Sequence, residues 1–233
     1  MNTTVKNESV GSEFAAFTTE TRTPNFDRVA KIYRWMELWT FGPLLSRCRT
    51  ALFPELASTH RALVLGDGDG RFTAELLRAN SEVRIDAVDA SPAMLEALLR
   101  RAEANARRVY AHCADAREWQ PENAQYDLVV THFFLDCLTT EECRALAARL
   151  RDALSPSAMW IVSEFAIPEG WFGRIVAGPL ISVLYRAFGV LTGLRIRSLP
   201  DYRAALRDAG FALARQRTRL RGLLVSEMWA REA

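Results

Sequence analysis

The chain has 233 residues, 49% of them hydrophobic and 25% charged, with a formal net charge of +2. That length supports one α/β domain with an appendage, and the near-neutral balance excludes a protein that binds polyanions through bulk charge. Four cysteines with no CxxC pair, and three histidines, exclude a zinc site of ordinary spacing. No metal is expected, and the thiols read as the reduced cysteines of a cytoplasmic protein.

Residues 1–23 are polar, rich in Thr, Ser, Asn and Glu, and lack the apolar core of a signal peptide; they read as a flexible tail. Residues 24–60 read as a helical lid. FDRVAKIYRWMELWTFG carries a broad apolar face of Phe26, Val29, Ile32, Tyr33, Met36 and Leu38, is broken at Gly42-Pro43, and is followed by a second helix over Leu44–Leu56.

From Arg61 the pattern alternates. An apolar run, Ala62–Leu65, meets glycines at alternate positions, Gly66, Gly68 and Gly70, and a helical pattern runs from Phe72 to Ala79. A buried strand turning sharply into a helix needs residues that tolerate positive φ, and the helix N-terminus beyond it offers free N–H groups. A second strand, Val83–Val88, ends at Asp89, and Ser91-Pro92 starts a helix to about Asn105 by cap and first-turn preference. Strands follow at Val109–Cys113, Tyr126–Thr131 and Ala158–Glu164, with a helix over residues 140–154 capped by Thr139 or Thr140 and a turn at Ser155-Pro156. Strand–helix–strand spacing of this kind implies right-handed crossovers and a parallel sheet.

Residues 168–199 read as an insertion over the active site. Its apolar stretch is too short and too interrupted to span a membrane, but residues 171–194 are a candidate for peripheral membrane contact. Asp201 begins a helix ended by Gly210. Phe211–Arg221, with Arg215, Arg217, Arg219 and Arg221 at alternate positions, and Leu223–Ala230 then read as an antiparallel hairpin. The arginine stripe suits a solvated sheet edge more than a phosphate site. The expected architecture is a Rossmann-like, seven-stranded, mostly parallel sheet with an antiparallel C-terminal hairpin, helices on both faces and an N-terminal helical lid, residues 61–233 forming the cofactor-binding domain.

Ligands of such sheets sit at the carboxyl ends of the strands. Those ends carry Gly66, Asp67, Gly68 and Gly70; Asp89, Ala90 and Ser91; Asp115 and Ala116; Thr131, His132 and Asp136; and Glu164 with Phe165. Asp89 lies about twenty residues beyond the glycines, where a carboxylate can accept from ribose hydroxyls. These observations point to a nucleoside-containing cofactor.

The combination LVLGDGDGR, AVDASPAMLEALLRRA, HCADARE and YDLVVTHFFLDCL resembles class I S-adenosylmethionine-dependent methyltransferases. FDRVAKIYRWMELWTFG, SEFAIP and the ending LRDAGF…RGLLVSEMW are similar to the ubiquinone/menaquinone C-methyltransferase branch. The resemblance implies S-adenosyl-L-methionine as cofactor. Gly66, Gly68 and Gly70 would pass beneath its methionine and ribose, and Asp89 would hold the ribose hydroxyls. Ala90 and Met94 would contact adenine, Asp115 would face the exocyclic amine and the Ala116 N–H a ring nitrogen, with Tyr33, Thr131 and His132 completing the wall. Where the family carries an acid two residues before the first glycine this chain has Val64, so Asp67 is expected to serve the methionine ammonium. A dehydrogenase is disfavoured because GDGDGR departs from G-x-G-x-x-G. His132 is the first candidate for a general base and Asp136 for its partner or substitute; His112, inside a strand, reads as structural. The aromatic content, including Trp35, Trp39, Phe133, Phe134, Trp171, Phe172 and Phe188, favours a small hydrophobic acceptor methylated on oxygen or carbon. The alternatives are a nucleic-acid methyltransferase, disfavoured by charge and by THFF after the fourth strand, and a non-catalytic S-adenosylmethionine-binding subunit.

Overall fold

The structure, a computed structural model, describes residues 42–121, 125–183 and 199–232. The tail over 1–23, most of the lid with Tyr33, Trp35 and Trp39, and Tyr185 and Phe188 of the insertion lie outside the described residues. Helix α1 (Gly42–Arg49) and a 3₁₀ turn (Phe53–Leu56) precede the sheet. The chain then runs β1 (Arg61–Leu65), α2 (Arg71–Ala79), β2 (Arg84–Asp89), α3 (Pro92–Ala102), β3 (Val109–Cys113), β4 (Tyr126–His132), α4 (Thr140–Leu150) and β5 (Leu154–Phe165). Helix α5 (171–183), α6 (Tyr202–Asp208), β6 (Phe211–Arg219) and β7 (Leu224–Arg231) complete it.

The seven strands form one sheet in the order β3-β2-β1-β4-β5-β7-β6. β1 to β5 are parallel, and β7 runs antiparallel to both β5 and β6. The sheet reverses its winding between β1 and β4, which places the switch point beside Gly66. Both faces are covered, so the central strands read as unbroken apolar runs rather than as alternation. In β1, Leu63 and Leu65 pack with Val129, Leu146, Trp160, Tyr202 and Trp229 on one side. Ala62 and Val64 pack with Phe72, Leu76, Ile85, Leu128 and Ile161 on the other.

Local chemistry sets the element ends. Ser91 Oγ accepts from the Met94 N–H at 3.4 Å and Pro92 occupies the first turn of α3. Thr139 and Glu142 form a reciprocal capping box at α4. α3 stops at Ala102, short of its predicted end, because Glu103 turns to φ 52 and the chain continues as a 3₁₀ turn. The turn predicted at Ser155-Pro156 is instead a bulge within β5. Leu154 pairs with Tyr126 and Met159 with Leu128, so residues 155–158 leave the ladder, where a proline lacks the N–H to stay. His112 is structural, its Nε2 2.8 Å from Asp86. On the edge strand β6, Arg215 pairs with Glu55 at 3.0 Å.

Candidate functional site

The turn after β1 holds Gly66, Gly68 and Gly70, all with positive φ. Two of these positions show what the glycines are for. A Cβ on Gly66 (φ +66) would lie 2.5 Å from the Phe134 ring, so this glycine makes room for an aromatic side chain arriving from β4. A Cβ on Gly68 (φ +59) would meet only the Met94 sulfur, at 3.8 Å. Open space above a backbone held in the left-handed region is the shape of a cradle for a ligand.

Asp89, at the end of β2, faces that cradle. Its Oδ1 accepts from the Ser91 N–H at 2.8 Å, and the Gly68 N–H bonds to the same carboxyl group. Burial pushes its pKa up to about 6; the two backbone bonds oppose the rise and the neighbouring Asp67 charge adds to it. A carboxylate has about four lone-pair positions, and those left over suit the paired hydroxyls of a ribose. Ala90 and Met94 lie beside it, both partly buried. The structure thus brings Gly68, Asp89, Ala90 and Met94 together at the ends of β1 and β2, while Gly66 and Gly70 pack against Phe134 and Leu98.

Three expected contacts take other duties. The Asp67 carboxylate is turned to α2, accepting from the Thr73 N–H at 2.8 Å and the Phe72 N–H at 3.4 Å. It caps the helix, an alternative to serving a methionine ammonium, and burial raises its pKa against those bonds. Thr131 is fully buried and its Oγ1 accepts from the Trp160 Nε1 at 3.0 Å, which places it in the core rather than in the cleft. Asp115 sits at the cleft rim, but Arg117 grips both its oxygens, Nε at 3.0 Å to each and Nη2 at 2.6 Å to Oδ2. Burial alone would raise this carboxyl; Arg117 and, more weakly, Arg149 hold it below its ordinary value. The Ala116 carbonyl accepts from Arg149. Any adenine amine at Asp115 shares that carboxylate with Arg117.

His132 ends β4 and is 4% exposed, its ring edge-on to Phe72 at 4.6 Å. Neither ring nitrogen has a hydrogen-bond partner. Burial and then the positive charge of Arg49 drive its pKa well below the ordinary histidine value, so the imidazole is neutral at physiological pH. Phe133 follows at φ 54, a conformation a bulky side chain adopts only under constraint. The constraint is visible. Its N–H donates to the Ser163 carbonyl at 2.7 Å, its ring lies between Phe165 and the Arg49 guanidinium, and the next two N–H groups, of Phe134 and Leu135, donate to Glu164 Oε1 at 3.0 and 2.8 Å.

Beyond this turn, Asp136 lines a cavity of about 300 Å³ together with Glu164, Phe165 and residues 199–203. The cavity lies at the end of β5, two strands along the sheet from β1 and its glycine turn. Sequence reasoning did not include Arg49; it set Phe134 among the pocket aromatics and Glu164 at the end of the fifth strand without giving either a specific role. No His/Cys/Asp/Glu grouping among the described residues suits a metal ion.

A family model described as a methyltransferase domain matches residues 62–157. No curated protein sequence matches the chain at a significant level. Among solved structures, mitomycin 7-O-methyltransferase MmcR superposes with a TM-score of 0.68 at 18% identity, over 89% of this chain and 60% of that one. The S-adenosylmethionine-dependent methyltransferase SibL gives 0.63 at 23% identity, over 92% and 64%. An O-methyltransferase family protein from Burkholderia thailandensis gives 0.67 at 18% identity, over 90% and 61%. The chain therefore spans less than two thirds of the length of these structures, and at such identities the likeness speaks to fold. Residues 62–157 thus match a methyltransferase-domain model, and the described sheet has the Rossmann-like fold of these structures.

Proposed function

We propose that this chain transfers a methyl group from S-adenosylmethionine to a small, hydrophobic acceptor. The observation that carries the reading is the pairing of the open Gly68 turn with the buried, incompletely paired Asp89 carboxylate at the adjacent strand end. The residues present fit the cofactor. Asp89 would hold the ribose hydroxyls, Ala90 and Met94 would wall the adenine, and the glycine turn would pass beneath the rest. Bound there, S-adenosylmethionine supplies a methyl group on a positively charged sulfur that leaves readily.

The chain's own work is then to position the acceptor, to exclude water and to handle a proton, and positioning alone is worth roughly 7–11 kcal/mol. His132, held neutral by burial and by Arg49, is suited to accept or donate one hydrogen bond and is a poor proton acceptor. Asp136, beside the cavity at the ends of β4 and β5, is the second candidate to take a proton.

Oxygen is the preferred accepting atom: MmcR and the Burkholderia thailandensis protein are named as O-methyltransferases, while FDRVAKIYRWMELWTFG and SEFAIP keep carbon as the alternative. Helix α5 bares Trp171, Ile175 and Val183, all more than 60% exposed; we assign this face to apolar contact, with an acceptor or at a membrane surface.

Calorimetry with S-adenosylmethionine tests the reading. A hydrogen bond to a charged acceptor contributes about 1.5–3 kcal/mol, so Asp89→Ala is expected to weaken binding roughly 10–100-fold. Equal affinity in the two proteins refutes the cofactor assignment.

A further inference from the structure

Helix α5 is apolar on two sides. Gly173, Ala177 and Ile181 recur at every fourth residue and turn inward, where Ala177 and Ile181 pack with Leu223, Phe165, Phe172 and Leu199. Trp171, Ile175, Pro179 and Val183 recur at the same spacing and are exposed. A surface helix ordinarily carries charged and polar residues on its outer side; here the one charged residue is Arg174. Ile167, half exposed on the chain leading into the helix, extends the apolar face. A contiguous apolar face of this kind marks a contact surface. Among the described residues no helix is long and apolar enough to cross a membrane.

The charge around the face indicates its partner. Residues 170–199 contain four arginines and no Asp or Glu, and residues 210–226 contain four more and none, in a chain whose formal charge is only +2. Glu169, just ahead of the helix, is the one acid over residues 165–183. The fold joins the two basic stretches. The Arg221 guanidinium lies over the Phe172 ring at 5.7 Å, Leu223 belongs to the cluster beneath α5, and its carbonyl accepts from the Ala166 N–H at 2.9 Å. The tip of the β6–β7 hairpin therefore stands beside the helix. Leu220 and Arg221 at that tip are exposed and hold φ of 50 and 55, a conformation that ordinary side chains disfavour and that concentrates at functional segments. Arg215 is paired with Glu55, but among the described residues no carboxylate pairs with Arg174, Arg219 or Arg221.

We infer that α5 and the β6–β7 tip form a docking surface for an anionic phospholipid bilayer. The inference narrows the apolar contact assigned to α5 above to one partner, and it stands apart from the methyl-transfer chemistry. Trp171, Ile175 and Val183 enter the boundary between headgroups and acyl chains, where an indole ring is favoured. Arg174, Arg219 and Arg221 meet the negative charge of the headgroups. A water-soluble polyanion would leave Trp171 and Ile175 in water, and a neutral bilayer would leave the arginines unmatched. Ile167 belongs both to this face and to the wall of the cavity of about 300 Å³, so docking sets that cavity beside the lipid.

The test is vesicle flotation of the full chain, with vesicles of phosphatidylcholine alone and of phosphatidylcholine and phosphatidylserine in equal parts. The parent is expected to float with the anionic vesicles, to bind the neutral ones roughly tenfold more weakly or less, and to be released by high salt. Arg174→Gln combined with Arg221→Gln is expected to weaken anionic-vesicle binding roughly tenfold or more. Trp171→Ser combined with Ile175→Ser is expected to do the same. These side chains are exposed, so thermal denaturation and S-adenosylhomocysteine affinity should match the parent. Flotation with neither vesicle, or equal flotation with both, overturns the inference. So does binding that survives the Trp171 and Ile175 substitutions, which would mark a polyanion site made by the arginines alone, or a lipid-free dimer in sedimentation velocity that Ile175→Ser dissolves. Failure of the parent to bind S-adenosylhomocysteine, with selective flotation intact, overturns the methyl-transfer reading and supports lipid docking by itself.

Discussion

Asp89→Asn should loosen the cofactor and stabilise the protein that lacks it. In the free protein the Asp89 carboxyl titrates at about 6, raised from 3.8 chiefly by burial. At ~1.4 kcal/mol per tenfold change, holding that carboxylate ionised in the folded state costs about 3 kcal/mol. The sign follows from the proton balance. A group whose folded pKa is raised contributes its stability below the unfolded value, and that stability is lost as the pH rises through about 6. At pH 7.5 the charge is therefore a burden on the unliganded fold, relieved when ribose hydroxyls arrive. Asparagine keeps an oxygen for the Ser91 N–H, now 2.8 Å from Oδ1, and gives up one of the two backbone bonds, worth about 1 kcal/mol. The expected net gain is about 1–2 kcal/mol at pH 7.5, falling to zero or below near pH 4.5. Urea denaturation at the two pH values measures it, and calorimetry should show S-adenosylmethionine bound at least about tenfold more weakly. An Asn variant that is less stable than the parent by the same amount at both pH values refutes the reasoning.

Two further outcomes separate architecture from binding. Gly66→Ala and Gly68→Ala both force an L-residue to positive φ, at about 1–2 kcal/mol, but only the Gly66 methyl drives into the Phe134 ring. Thermal denaturation should show Gly66→Ala as the more destabilised, while calorimetry should show Gly68→Ala losing cofactor affinity out of proportion to its stability; the reverse ranking counts against the cradle. Glu227 is fully buried and receives Arg203, Tyr202 Oη, Gln216 Nε2 and Trp229 Nε1 at 2.6 to 3.1 Å. Glu227→Ala, which leaves three neutral donors without their acceptor and removes the partner of a partly exposed Arg203, should cost about 2–3 kcal/mol in chemical denaturation, and a loss below about 1 kcal/mol would show the network to be dispensable.

The sheet was legible because its signals are local. Apolar runs of strand length alternate with amphipathic stretches, and Ser91-Pro92, Thr139 with Glu142, and Gly210 mark where helices begin and end. The place of Asp89, at the end of β2 and bonded to the Gly68 N–H, was legible from its distance to the glycines. Thr131 and His132 show where that reasoning stops. Successive residues of a strand face opposite sides of the sheet, so both cannot enter one cleft. The parity of β4 gives His132 to the Phe72 side and Thr131 to the Trp160 side. Asp67 was ambiguous in principle, since a carboxylate ahead of a helix serves a cap and a ligand equally well. The role of Glu164 depends on tertiary burial, which no period in the sequence encodes.

The exit of β4 gives the motif after β1 a meaning that sequence alone withholds. The first glycine of that motif admits Phe134, a side chain that Phe133 delivers by taking a left-handed conformation. Glu164 secures the same turn from the other side through the Phe134 and Leu135 N–H groups. One short segment therefore touches both the glycine turn and the cavity between β5 and residues 199–203. Phe134 joins the two ends of that segment: its ring packs against Gly66 and its N–H donates to Glu164 Oε1, so in a close-packed interior neither contact can change without repacking the other.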